Sequence, residues 1–410
     1  MTFLYRVGIW LYSVFVQFVS VFSDKARLFV QGRKKWRENL AGKIDATSKY
    51  IWFHCASLGE FEQGRPVIEE LKLKFPEYKV VLTFFSPSGY EIRKNYPLAE
   101  IVSYLPLDTK RNVTAFLNIV KPEKVFFVKY EFWYFYISEL KRRNIPLYII
   151  SAIFRENQQF FKDTPVGKWY RKMLFNVEHF FIQNEKSGEL LKTIGISNFT
   201  VSGDTRFDRV AAIANSAKEI PIVEKFKGNS MLIIAGSTWK PDEELLAEFI
   251  NKSSLKFIIA PHEVSEGNIN RIHQLLKKPA ISFSKVTESE IDRFQVLIID
   301  SVGLLSSLYR YGNIAYIGGG FGVGIHNILE AATFGLPVIF GPNYKRFKEA
   351  VDLINEGGAF AISNSGDLLQ TLNGLIEDNN AIEKTSGISK KYVAKNVGST
   401  QIIIKKVFNI

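Results

Sequence analysis

Short apolar runs alternate with helical patterns along this chain, and the alternation occurs twice. The first series of candidate strands is Tyr50–His54, Lys79–Phe84, Lys124–Val128, Leu147–Ser151 and His179–Gln183. Helical patterns at Glu62–Lys74, Tyr130–Arg143 and Glu185–Ile194 separate them. The pattern restarts after Pro221, with strands at Ser230–Ala235, Lys256–Ala260, Val296–Ile299, Asn313–Ile317 and Pro337–Phe340. Strands separated by helices form βαβ units and a parallel sheet. The expected fold class is therefore α/β, with two doubly wound Rossmann-like domains joined near Ala211–Lys225. The expected boundaries are an apolar N-terminal helix over 1–23, a first domain over 24–215, a second over 216–395 and a closing helix over 396–410. At 410 residues, each half is long enough for its own core. Ligands bind at the carboxyl ends of strands in open α/β sheets, so the site is expected in a cleft between the domains.

The second series contains a glycine-rich loop, Gly318-Gly319-Gly320-Phe321-Gly322-Val323-Gly324, between the strand ending at Ile317 and a helical pattern from Ile328. Backbone N–H groups in such a loop can face an anion, with the following helix dipole adding to the attraction. The spacing is neither G-x-G-x-x-G nor a phosphate loop ending in Gly-Lys-Ser/Thr, which argues against hydride transfer and ATP hydrolysis. The rival reading is a tight turn needing positive φ. One cysteine, Cys55, excludes an internal disulfide and reads as a buried structural thiol at the end of a strand.

A net charge of +12 points to anionic partners. Nucleic acid ranks last, because no RNA-binding signature, zinc finger or long basic tract is present. Membrane ranks higher. Thr2 to Phe22 is about as long as a spanning helix and rich in aromatic and aliphatic residues, diluted by Arg6 and Gln17. Lys25, Arg27, Arg33, Lys34, Lys35 and Arg37 follow it, which puts the body on the cytoplasmic side and attracts anionic headgroups. A spanning helix, a helix lying in the interface and a helix packed on the domain all remain open.

Three charged residues sit at expected strand ends. Glu60, where the loop after the first strand becomes a helix, suits a general base acting on a hydroxyl; a helix N-terminal charge is the competing role. Glu131, after Lys124–Val128, is either at the site or a cap. Arg206, near the domain joint, could stabilise developing negative charge or pair with Asp204 or Asp208. Glu62 falls inside the helix and reads as solvated. His54, within its strand, reads as a core histidine.

Taken in order, these stretches resemble the 3-deoxy-D-manno-octulosonic acid (Kdo) transferases of lipopolysaccharide synthesis. The segments are Ala56-Ser57-Leu58-Gly59-Glu60, Glu131-Phe132-Trp133, Gly203 to Asp208, Gly236-Ser237-Thr238, Ala260-Pro261-His262-Glu263, His326-Asn327-Ile328-Leu329-Glu330, and Phe340-Gly341-Pro342-Asn343-Tyr344 with Phe347 and Glu349. Arg206 replaces the family's lysine, and His262 its arginine. The resemblance implies a glycosyltransferase-B fold, CMP-Kdo as donor and a lipid A precursor in the inner membrane as acceptor. It implies no metal and no cofactor. It makes Glu60 the general base, with Glu131 and Arg206 assisting at the reacting centre. It assigns CMP to Pro261, His262, Val302, Gly303, Leu304, Gly320, Asn327, Ile328, Leu329 and Glu330. A two-domain transferase using a UDP-sugar and a non-catalytic nucleotide- or lipid-binding module are the alternatives.

Overall fold

The computed structural model describes residues 1–410, apart from the side chain of residue 379. The chain divides into two compact units, Met1–Arg209 with Val397–Ile410, and Val210–Asn396. The expected joint shifts a few residues earlier, because the helix Arg206–Asn215 runs across the boundary.

The first unit is built on seven parallel strands: β1 (Lys49–Cys55), β2 (Tyr78–Phe84), β3 (Ile101–Tyr104), β4 (Lys124–Val128), β5 (Leu147–Ala152), β6 (His179–Ile182) and β7 (Phe199–Val201), in the order β3-β2-β1-β4-β5-β6-β7. Successive side chains point to opposite faces of a strand, and helices cover both faces here, so β1 is apolar along nearly its whole length. Tyr50 and Trp52 enter one core with Val81, Val125 and Phe127, while Ile51, Phe53 and Cys55 enter the other with Leu82, Phe126 and Val128. The Phe53 and Phe126 rings stack at 4.6 Å, and Trp52 meets Phe127 edge-on at 5.1 Å.

The expected closing helix is observed at Ser399–Phe408 and belongs to this unit. Ile403, Ile404 and Val407 join the core beneath helix Leu58–Lys74. Each buried aliphatic side chain contributes roughly 1.5–3 kcal/mol. Phe408 stacks on Phe75 at 4.4 Å. The Asp208 carboxylate accepts from the Gly398 and Thr400 amides, both at 2.6 Å, and so caps this helix.

The second unit has strands β8 (Leu232–Thr238), β9 (Lys256–Pro261), β10 (Ala280–Ser282), β11 (Val296–Ile298), β12 (Ile314–Ile317), β13 (Val338–Phe340) and β14 (Ala359–Ala361). All pair in parallel, in the order β10-β11-β9-β8-β12-β13-β14. Ile233, Ala235, Phe257, Ile259, Tyr316 and Ile339 centre its core.

The N-terminal helix spans Thr2–Val19 and is long and apolar enough to cross a membrane, with none of its residues buried. One of its faces nonetheless lies on the first unit. Tyr5 packs between Tyr134, Phe135 and Trp169 at centroid distances of 5.7, 5.8 and 5.6 Å. Its hydroxyl donates to Asp108 at 2.6 Å. Further along, Tyr12 meets Phe29 at 6.1 Å and Phe85 at 6.2 Å.

Candidate active site

In the first unit the chain runs from β1 outward to β3, then returns to place β4 on the other side of β1. The carboxyl ends of β1 and β4 therefore flank the point where strand order reverses, the usual ligand position in such sheets. Glu60 follows β1 and Glu131 follows β4. Helix Leu58–Lys74 starts four residues earlier than the expected Glu62, with Ser57 as its extended N-cap. Glu60 is then the third helical residue and completes a capping box. The Ser57 amide donates to Glu60 Oε2 at 3.1 Å, and the Ser57 hydroxyl donates to the same oxygen. Oε1 has no hydrogen bond among the described residues. The capping role of Glu60 is real, and it leaves one carboxylate oxygen open. Glu62, in the same helix, pairs with Arg93 at 3.0 Å.

Glu131 precedes its helix, which begins at Tyr134 and not at Tyr130 as expected. Lys129, just after β4, holds a left-handed φ of 70°. Such non-glycine conformations cost energy and concentrate at functional sites. Glu131 Oε2 accepts from Trp133 Nε1 at 2.7 Å and lies 3.0 Å from His54 Nε2. Cys55 is fully buried. Burial, aided by the Glu60 and Glu131 charges, holds its thiol well above the usual range, so it is no nucleophile.

Arg206 is paired. Its Nε lies 2.9 Å and its Nη2 2.8 Å from Asp204 Oδ2, and its own amide donates to Asp204 Oδ1. Gln63 donates to both Asp204 oxygens at 3.1 Å. Burial pushes the Asp204 carboxyl up, but Arg206 and these hydrogen bonds outweigh it and hold the group below its ordinary value. Arg206 thus forms an ion pair with Asp204, while Asp208 serves the closing helix.

In the second unit the donor candidates gather at the carboxyl ends of β8, β9, β11 and β12. Pro261 ends β9, and the exposed His262 follows it. The His262 ring stacks on Trp239 at 4.5 Å and on His326 at 4.6 Å. The Trp239 indole donates to His326 Nε2 at 2.9 Å. An indole only donates, so Nε2 is bare and His326 is neutral in this arrangement. Burial and the neighbouring His262 also push the His326 pKa down. Trp239 and His326 escaped the sequence reading as a unit, since 87 residues separate them.

Val302, Gly303 and Leu304 form the loop after β11; Val302 is exposed and Gly303 has φ 96°. Asn327 Nδ2 and the Ser306 hydroxyl both reach Glu330, at 3.1 and 2.7 Å. The Ile328 and Leu329 side chains are buried in the core, so only their backbone could meet a ligand. The Leu329 amide already donates to Asn327 Oδ1 at 3.2 Å.

The glycine loop departs from expectation. The helix after it is a single turn, Leu329–Ala332, so its dipole adds little. Four of the five glycine amides bond within the protein: Gly318 to Gly236 O, Gly319 to buried Asp242, and Gly322 and Gly324 to Gly319 O. The amides of Gly320, Phe321 and Val323 have no partner among the described residues and could face an anion. Glycine is required here mainly for close packing: a Cβ at Gly320 would lie 2.6 Å from the Gly341 backbone.

Residues 34–209 match the family model described as 3-deoxy-D-manno-octulosonic-acid transferase (kdotransferase). Curated relatives extend the likeness. The 3-deoxy-D-manno-octulosonic acid transferase of Aquifex aeolicus is 29% identical over 357 residues, covering 84% of this chain and 92% of the relative. Those of Chlamydia muridarum and Haemophilus influenzae are each 26% identical, covering 87% and 86% of this chain and 85% of each relative. Among solved structures, UDP-GlcNAc 2-epimerase from Neisseria meningitidis bound to UDP-GlcNAc superposes with a TM-score of 0.60 at 18% identity, over 88% of this chain and all of that one. Acinetobacter baumannii MurG gives 0.53 at 11% identity over the same shares. These two show the fold alone, of glycosyltransferase-B type. Matching sequence along most of the chain, motifs in the same order and this fold together make the chain similar to the Kdo transferases.

Proposed function

We propose that the protein transfers Kdo from CMP-Kdo to a lipid A precursor, with inversion and without a metal. The observation that carries the reading is Glu60, held through one oxygen at the switch point of the first sheet with the other oxygen open. A carboxylate so placed can remove the proton of the acceptor hydroxyl as it attacks the Kdo carbon, while the bond from that carbon to the CMP phosphate breaks. Glu131 lies at the neighbouring strand end and would steady positive charge building on the sugar. Arg206, balanced by Asp204, would act more through position than through net charge. In the second unit, Pro261, His262, the 302–304 loop, Gly320 and residues 327–330 would hold CMP, with Glu330 accepting from ribose hydroxyls as acidic residues do in other nucleotide folds.

The N-terminal helix gives the membrane part of the reading. Phe3, Leu4, Trp10, Leu11, Val14, Phe15 and Phe18 are all exposed on one face, while Tyr5 is anchored on the opposite one. Eighteen residues make about 27 Å of helix, a little short of a ~30 Å hydrocarbon core. A docked protein face and an open aromatic face favour a helix lying in the interface, with Lys25, Lys34 and Lys35 on anionic headgroups at the cytoplasmic side of the inner membrane.

Purified protein with CMP-Kdo and a lipid A precursor tests the reading. The expected product is the precursor carrying Kdo, formed equally in excess chelator. Transfer from UDP-sugars with none from CMP-Kdo would overturn it. Deleting residues 1–22 should release the protein from vesicles of anionic lipid; continued sedimentation would refute the anchoring role.

A further inference from the structure

We propose that His54 is a positioning residue: its buried imidazole clamps Glu131 Oε2, so that Oε1 is presented to the reacting centre. The proposal rests on the role given to Glu131 above. His54 lies within β1 and is fully buried, so it touches no substrate. Its ring is fixed from behind. Nδ1 is 2.9 Å from Thr83 Oγ1 and 3.1 Å from Thr83 O on the paired strand β2. Thr83 Oγ1 in turn accepts from Trp52 Nε1 at 2.8 Å. In front, Nε2 is 3.0 Å from Glu131 Oε2.

The hydrogen-bond chemistry allows two arrangements. If Nδ1 carries a hydrogen, the Thr83 carbonyl accepts it, and the Trp133 indole, 3.3 Å from His54 Nε2 and 2.7 Å from Glu131 Oε2, donates between the two acceptors. If Nδ1 is bare, the Thr83 hydroxyl donates to it and the single ring hydrogen sits on Nε2, facing the carboxylate. The second arrangement, in which the imidazole itself donates to Oε2 at 3.0 Å, is the one the proposal takes. Trp133 Nε1 supplies a second bond to the same oxygen at 2.7 Å. Two donors fix Oε2 and none of the described residues bonds Oε1. An apolar side chain would fill this strand position without the cost of burying an imidazole, which fits a residue kept for its two bonds.

The test uses His54→Asn and His54→Gln in the full chain, each alone and combined with Glu131→Gln. Asparagine keeps a polar group beside Thr83 but is too short to reach Glu131; glutamine can reach it. His54→Asn should cut kcat about 10-fold, within the range for residues coupled in one hydrogen-bond network. The KM for CMP-Kdo should not move, since the proposed donor residues lie in the other unit. His54→Gln should restore most of the rate. In the Glu131→Gln background, His54→Asn should cost nothing further. An equal loss in both backgrounds would overturn the proposal and leave His54 a core residue. Glu131→Gln with full activity would instead remove Glu131 from the reaction, while Kdo transfer itself stands or falls on the turnover assay.

Discussion

Replacing Glu60 with glutamine separates its two roles. The side chain closes the helix start by accepting from Ser57 through one oxygen. A glutamine carbonyl can still accept the Ser57 amide, because the capping box tolerates Gln at this position. What is lost in the folded state is a carboxylate near the helix N-terminus, about 0.3–1 kcal/mol. For units of this size that lowers Tm by at most about 4 °C. On the proposed mechanism, what is lost in the reaction is the proton acceptor, typically worth about 10²–10⁴-fold in rate. At about 1.4 kcal/mol per factor of ten, the barrier rises by roughly 3–5 kcal/mol. Glu60→Gln should therefore melt close to the parent, bind CMP as the parent does in calorimetry, and form Kdo-bearing product at least about 100-fold more slowly by mass spectrometry. Turnover within about threefold of the parent, with unchanged melting, would make Glu60 a helix cap and nothing more.

Asp108 is almost wholly buried and accepts from Tyr5, Phe135 and Tyr136. Burial pushes its carboxyl up to about 6, with those bonds pulling the other way. A raised folded-state value favours the native state at low pH, and this advantage, about 3 kcal/mol, is lost as pH rises from 4 through 6. Urea midpoints of Asp108→Asn should therefore fall less than those of the parent over that interval; a constant difference between them would refute the assignment. Gly320→Ala should cost roughly 1–3 kcal/mol of stability through its clash with Gly341. Gly322→Ala, whose new methyl would lie 3.6 Å from the nearest atom, should melt as the parent does; equal melting of the two variants would show that the loop relaxes. His262→Arg carries its charge at every pH, so CMP affinity at pH 8 should rise several-fold in calorimetry. No change would place His262 away from the phosphate.

The interior strands were legible in the sequence because burial on both faces makes them apolar throughout, as in Lys124–Val128 and Lys256–Ala260. The four strands that went unread, β3, β7, β10 and β14, are the four sheet edges. Each has only three or four residues, and at the edge burial is less complete: β7 has no buried residue. At the candidate site, the residues that follow a strand can be singled out in the sequence, since the strand end itself marks them. The contacts that complete the site cannot. Glu131 meets His54 across 77 residues, and Trp239 meets His326 across 87. Parallel pairing sets those contacts, and no local spacing records it. The glycine loop is ambiguous in sequence for a related reason: a Gly320 needed to let Gly341 pass reads the same as a glycine that cradles a phosphate.

The return of residues 397–410 to the first unit orders events during synthesis. The ribosome completes all of Val210–Asn396 before it makes Ile403, Ile404 and Val407. Until then the helix Leu58–Lys74 lacks the apolar cover that these residues provide. The second unit can form its core first, while the half carrying Glu60 waits with an open hydrophobic flank. A chain halted before residue 397 should therefore hold a closed second unit and an unfinished first unit, the kind of species that chaperones bind and proteases remove.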